Sequence, residues 1–303
     1  MKYWNVDPMP SWRPRIVTLL ARHGAARYPD ALPEICDLFQ RRLPAAAHDV
    51  LVIDNALAPD HEERLAPGIM LIGGSNVAWE FSAWDAGLAY LRDRLDEYDL
   101  VNLATSAFRQ LYVDYLERFD LDMLTLLRGR AAAIGHVDYS NTAASLLQTG
   151  SQAWLRSSFI MLPPNELRLL KTLVSVTDPS LFFSGDPGCP FREDAPISAD
   201  FRHDVLSWLT GEGTGQGVSW HSRFVLDAST LSYFESKTLA IFNERMLSNR
   251  LRAQGCAMVD ATWLATRSRV KDGASITAIP NWRLQVTSRD VVAAPTSLLR
   301  FNE

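Results

Sequence analysis

The chain has 303 residues, 47% of them apolar and 21% charged, with a formal net charge of −5. That length and apolar share can bury one large α/β core, while the acidic balance argues against a global nucleic-acid surface, so no nucleic-acid partner is expected. Cys36, Cys189 and Cys256 are scattered without metal-type spacing, which fits a reducing cytoplasm better than a disulfide framework.

The opening MKYWNVDPMPSWRPR lacks the apolar run of a signal peptide. No stretch approaches the ~18–20 apolar residues that span a membrane, so a cytoplasmic location is expected. The nine tryptophans are read chiefly as large core residues, with contact at a membrane surface left open.

In chain order, Arg15–Ala21 reads as a strand ending at Arg22-His23-Gly24. From Tyr28 to Leu43, apolar residues at Leu32, Ile35, Leu38 and Phe39 keep close to the helical period. Val50–Ile53 is a second strand ending at Asp54-Asn55, and a polar loop from Ala58 to Pro67 leads to a third at Ile69–Ile72. Gly73-Gly74 and SNVAWEFSAWDAGL then open a helix running to about Leu95. Tyr98–Ala104 is a fourth strand, ending at Thr105-Ser106. Strands alternating with helices imply a Rossmann-like, mostly parallel α/β sheet with helices on its faces. Ligands in such sheets sit beyond the carboxyl ends of the strands, where these four polar ends point to one site.

The second half is less regular. A helix is expected over Tyr112–Leu127, a strand over Ala131–Val137, a helix around Ala143–Gln148 and a strand over Ala153–Leu162. Pro163-Pro164 stops that strand, and Asn165 is placed to cap a helix over Glu166–Val174. Thr177–Ile197 reads as a long loop, and Gly211–Gly217 (GEGTGQG) as a flexible loop placed to act as a lid. Phe234–Gln254 is a helix stopped at Gly255, and nothing is assigned after Arg267.

Five stretches in this order carry a family resemblance: IDN, GGSNVAWEFSAWDAGL, LATSAF, WLRSSFIML and FESKTLAIFNERMLSNRLRAQG. Over residues 15–265 the chain resembles GT-A type glycosyltransferases, in particular bacterial surface-polysaccharide enzymes of the rhamnan-synthesis type. The resemblance implies a nucleotide-binding half over residues 1–140 and an acceptor-side half of the same domain over 141–303. It implies transfer of a sugar, with a deoxysugar such as rhamnose and an inverting outcome favoured, from a nucleotide-diphosphate donor to a glycan or lipid-linked acceptor. The setting would be lipopolysaccharide or O-antigen synthesis, cytoplasmic and peripheral to the inner membrane. Oligomeric state is not indicated.

The resemblance also assigns roles. Asp54 would bind base or ribose, because a carboxylate accepts hydrogen bonds from a base N–H or ribose hydroxyls; otherwise Asp54-Asn55 caps a turn. Arg22 and His23 would touch the same nucleotide, or else form a solvated loop. Phe81, Trp84 and Leu88 share a helix face and are assigned to the core. Asn76, Glu80 and Asp85 are placed on the donor pocket, although an acid at a helix start such as Glu80 is also favoured by the helix dipole. Gly73-Gly74 would let a ligand approach the backbone closely.

Many GT-A enzymes carry Asp-x-Asp at the fourth strand end to hold Mg²⁺ or Mn²⁺. Thr105 and Ser106 stand there instead, with no carboxylate between Asp99 and Asp114, which puts metal dependence in question. Arg109, Arg128 or Arg130 would then meet the leaving-group charge. His136-x-Asp138 is a weak metal signal.

Glu244 in FNERMLSNRL matches the family's base position and would take the acceptor's proton, with Asp85 the competing base; an ordinary helix acid is the plainer alternative. Lys237 and Arg245 would offset nearby negative charge or solvate the helix. On the strand, Trp154 would stack on a sugar with Arg156 beside it, or simply pack in the core. A non-catalytic nucleotide- or glycan-binding module is the rival reading, favoured by Thr105-Ser106. A serine hydrolase ranks below both, because no Gly-x-Ser-x-Gly turn is present.

Overall fold

The computed structural model describes residues 12–110, 113–211, 224–268 and 278–293. One eight-stranded sheet organises them, in the order β3-β4-β2-β1-β5-β7-β6-β8. The strands are β1 (Arg15–Arg22), β2 (Ala47–Asp54), β3 (Glu62–Ala66), β4 (Ile69–Gly73), β5 (Leu100–Thr105), β6 (Ala132–Leu146), β7 (Thr149–Leu162) and β8 (Ala257–Asp260). Only β3 and β7 run antiparallel to their neighbours; β1 pairs in parallel with both β2 and β5, and β6 with β8. The mostly parallel α/β expectation holds.

The apolar strand sequences fit burial on both faces. Along β1, Val17, Leu19 and Ala21 belong to one core, while Ile16 and Leu20 belong to the other. The first core is covered by α2 (Trp79–Leu91) and α6 (Leu231–Ala253), through Phe81, Trp84, Leu247 and Leu251. The second is covered by α1 (Ala31–Arg42) and, further along, α7 (Ala261–Ser268). Trp84 is fully buried and its indole N–H donates to the carbonyls of Leu19 (3.1 Å) and Ala104 (3.3 Å). Burial of so large a side chain is worth several kcal/mol, since its truncation costs ~3–5 kcal/mol. Phe81 and Trp84 are core residues, as their spacing predicts.

Elsewhere tertiary contacts override local signals. The polar loop expected at 58–67 contains β3, which pairs with β4. The helix expected at 143–148 is instead the end of β6 and a tight hairpin: Leu146 pairs with Thr149 across Leu147 and Gln148, whose φ values are +46° and +64°. Two successive positive φ angles match the twist of a two-residue hairpin turn. Within 113–127 the expected single helix is a 3₁₀ turn (Leu116–Arg118) followed by α3 (Leu121–Leu126), separated where Asp120 accepts from the Met123 N–H at 2.7 Å. Pro163 is the N-cap of α4 (Pro164–Leu170), so Asn165 lies inside the helix rather than capping it.

Helix α5 (Ala199–Thr210), not expected from the sequence, packs with the 177–197 loop and α6 in a third, phenylalanine-rich core that includes Phe182, Phe201 and Phe242. The GEGTGQG stretch lies outside the described residues beyond Gly211, the left-handed C-cap of α5 (φ +95°). After Gly255 (φ +87°) comes β8, and α8 (Trp282–Ala293) clips onto it: Gln285 bonds Asp260 N–H and the Met258 carbonyl, while Arg289 meets Asp260 at 2.8 Å. Residue 140 falls within β6. Among the described residues, no helix is long and apolar enough to cross a membrane.

Candidate functional site

The strand order turns at β1: the chain builds outward through β2 and β4, then returns to add β5 on the opposite flank. At such a switch point the loops beyond neighbouring strands diverge and leave a crevice. A cleft of about 470 Å³ opens there. One wall is strand-end residues, including Arg22, His23, Asn55, Asn76, Thr105 and Ser106. The facing wall is Glu80 of α2, Arg156–Ser158 of β7, and Tyr233, Lys237 and Glu244 of α6. Arg27, Tyr28, Trp79 and Trp208 complete the rim.

Asp54 does not face the cleft. It is 2% exposed, and its carboxylate accepts from Arg22 Nε (2.7 Å), Gly24 N–H (2.7 Å) and Ala56 N–H (2.9 Å). Burial pushes its pKa up, but these bonds and the Arg22 charge outweigh it and hold the group below the usual aspartate value. The residue ties the ends of β1 and β2 together and orients Arg22, in place of the expected base or ribose contact. Asn55 performs a similar task one residue on, donating to the Trp79 carbonyl (2.9 Å) and to Asn76 Oδ1 (3.3 Å), while its own Oδ1 is buried without a partner among the described residues.

The paired glycines serve the chain itself. A Cβ on Gly73 would lie 1.6 Å from the Ala58 carbonyl oxygen, and one on Gly74 would lie 2.3 Å from Asn55 Oδ1. That packing brings the β2–β3 loop under the start of α2. There Trp79 sits at φ +52°, a region costly for a side-chain-bearing residue, and its ring lies 6.3 Å from that of Tyr233. The two rings form an aromatic edge to the cleft.

The chemical centre is a carboxylate pair joined by Ser157. Glu80 accepts from Ser157 Oγ at 3.1 Å, and Glu244 accepts from the Ser157 backbone N–H at 2.6 Å. The pairing of β6 with β7 explains why that N–H is available. Gly135 faces Ile160 and Val137 faces Leu155, so residues 156–159 of β7 stand opposite His136 alone. Such a bulge takes residues off the ladder and re-aims their groups. Burial, and then the charge of Glu244, raise Glu80 to about 7, against the pull of its own backbone N–H, Ser157 and Lys237. Burial likewise raises Glu244, opposed by Ser157 and Arg156. Burial thus disfavours the ionised form of both carboxylates. On the same helix as Glu244, burial and the Arg27 charge lower Lys237 to about 8, with Glu80 acting the other way.

Several predicted site residues are elsewhere. Asp85 accepts from Leu173 N–H (2.7 Å) and from the Thr172 hydroxyl, so it fastens α2 to the segment after α4 and is not a competing base. Trp154 is 3% exposed beneath the Arg245 guanidinium, whose carbon is 3.1 Å from the ring centroid; it packs in the interior rather than lining the cleft. Arg156 does line the cleft, with Nε fixed by Asp138 at 3.0 Å. Asp138 is thereby engaged with an arginine, and no group of three or more His, Cys, Asp or Glu that could hold a metal occurs among the described residues. Arg109 lies against Glu117 at 3.5 Å, and Arg128 and Arg130 line a separate hollow with Asp99 and Leu100, at the amino end of β5. None of the three reaches the cleft. Sequence reasoning missed Arg27, Ser157, Trp79 and Tyr233. Lys237 and Glu244 sit seven apart on one helix face, and Arg156-Ser157-Ser158 interrupt the otherwise apolar run Ala153–Leu162; those were the available signals.

No protein-family model matches the chain, and no curated protein matches it. Among solved structures, it is similar to a mannosyltransferase from Pyrobaculum calidifontis in complex with GDP-mannose and Mn²⁺. Identity is 11%, the TM-score is 0.33, and the match covers 96% of this chain and 84% of that one. A likeness at that level carries no argument about function.

Proposed function

We propose that this protein is a glycosyltransferase that moves a sugar from a nucleotide-diphosphate donor to a hydroxyl of a glycan or lipid-linked acceptor. The observation that carries the reading is the Glu80–Ser157–Glu244 arrangement, set in a switch-point cleft that Arg22, Arg27 and Lys237 also line. Anionic donor chemistry suits these cationic residues, and proton removal suits the carboxylates.

In the reaction, the donor's phosphates lie toward the cationic residues, and the polar strand ends flank the nucleotide. The aromatic edge of Trp79 and Tyr233 offers faces to the apolar side of a sugar. Glu244 takes the proton from the acceptor hydroxyl as its oxygen forms a bond to the anomeric carbon. The anomeric carbon–oxygen bond breaks, and its electron pair leaves with the nucleoside diphosphate. The Ser157 N–H orients Glu244, and burial raises its proton affinity. Direct attack from a base on the acceptor side favours inversion. A deoxysugar donor and a role in surface-polysaccharide synthesis rest on the sequence resemblance of residues 15–265.

The test is incubation of the full chain with a panel of nucleotide sugars, following nucleoside diphosphate release and nucleotide binding by calorimetry. Binding with turnover supports the enzyme. Binding without hydrolysis or transfer favours a nucleotide-binding module, and no binding of any nucleotide overturns both.

A further inference from the structure

The resemblance to GT-A enzymes implies a divalent ion between protein and diphosphate. The residues do not fit one. The β5 end supplies Thr105 and Ser106, whose hydroxyls are neutral and weak ligands for a hard ion beside carboxylates. The Ser106 N–H is already spent on the Ala21 carbonyl at 2.9 Å. The cleft's two lining carboxylates, Glu80 and Glu244, stand together on the facing wall and are both engaged by Ser157.

Besides Arg156 of β7, which Asp138 engages, the same cleft carries positive charge at Arg22 at the end of β1, Arg27 in the loop that follows, and Lys237 on α6. Arg22 is pinned through Nε by buried Asp54. Arg27 and Lys237 come from different elements, and each stands near an aromatic ring, Arg27 over Tyr28 at 5.4 Å and Lys237 over Tyr233 at 5.7 Å. Two like charges facing one cavity repel, an arrangement that an anion bound between them relieves. Together they bring the same charge as a divalent ion.

We infer that Lys237 and Arg27, with Arg22 behind them, hold the donor diphosphate directly and take the place of a divalent cation. This deepens, and rests on, the nucleotide-sugar reading above. As the anomeric carbon–oxygen bond breaks, the electron pair moves onto the diphosphate oxygen, and the ammonium and guanidinium groups meet the charge that develops there. Like-charge crowding agrees with this, because the Arg27 charge adds to burial in lowering Lys237.

The experiment is calorimetric titration of the full chain with UDP, GDP, dTDP, ADP and CDP, each in EDTA and in excess Mn²⁺, with the matching nucleosides as phosphate-free controls. At least one diphosphate should bind in EDTA with a Kd within ~2-fold of its Mn²⁺ value, a difference below ~0.5 kcal/mol. Lys237→Gln should weaken that diphosphate by ~10-fold or more, as loss of a charged hydrogen bond does. Nucleoside affinity should stay unchanged, and Lys237→Arg should recover the loss. Arg27 is exposed, so Arg27→Gln is a second variant whose folding is not at risk, and it should show the same selective loss. Binding seen only with Mn²⁺ would overturn the inference and leave the nucleotide reading standing. Equal loss of nucleoside and diphosphate affinity in both glutamine variants would also overturn it. Absence of all nucleotide binding would instead sink the functional reading beneath it.

Discussion

Replacing Glu80 by glutamine should stabilise the protein at alkaline pH and leave it unchanged in acid. The folded carboxyl titrates near 7 rather than at its ordinary 4.5, because burial and the Glu244 charge disfavour its ionised form. Between those values the folded chain keeps a proton that the unfolded chain has released, so native stability falls as pH rises through the window. At about 1.4 kcal/mol per pKa unit, the full effect is ~3 kcal/mol by pH 8. The side chain borders an open cleft, and solvent screening there brings the figure down to ~1–2 kcal/mol. Glutamine has nearly the same shape, and its carbonyl still accepts from Ser157 Oγ, so the variant sheds the charge without leaving a hole. Thermal melts followed by circular dichroism should give a rise in Tm of ~2–5 °C at pH 8 and little change near pH 5. An equal shift at both pH values, or a loss of stability at pH 8, would refute the buried-pair argument.

Glu244→Gln should retain nucleotide affinity, since its carbonyl can accept from the Ser157 N–H, while turnover drops by ~10²–10⁴-fold as expected for loss of a general base; steady-state kinetics beside calorimetry checks both halves. Asp54→Ala should destabilise the fold by ~3–5 kcal/mol, because it strands Arg22 and two backbone N–H groups. Urea denaturation measures that, and a change below ~1 kcal/mol would contradict the anchoring role. Gly73→Ala forces the Ala58 backbone aside and should cost ~3 kcal/mol or more, read in the same assay.

Much of the fold was legible in the chain because its signals are local. Apolar runs at Ile16–Ala21, Val50–Ile53 and Val101–Ala104, with helical spacing between them, define buried parallel strands and crossovers regardless of what lies far away. The polar residues following those runs mark the carboxyl edge of the sheet, and Arg22, His23, Asn55, Asn76, Thr105 and Ser106 do meet there. Local signals failed where pairing partners decide the outcome. Ala143–Gln148 has helix-forming residues, yet β7 lies alongside and draws it into a hairpin. At the site, chemistry depended on which way each side chain turned. Asp54 and Asp85 are carboxylates at suggestive positions, but nearby backbone N–H groups capture both, because each carboxylate takes the donors its own fold provides. Glu80 and Glu244, 164 positions apart, become a pair only because a bulge in β7 frees one serine to bond both. The chain order therefore determined the sheet and its polar edge, whose causes are short-range periodicity and burial. Only tertiary packing decided which charges share the cleft, because proton affinity and anion binding depend on distances between residues that sequence leaves far apart.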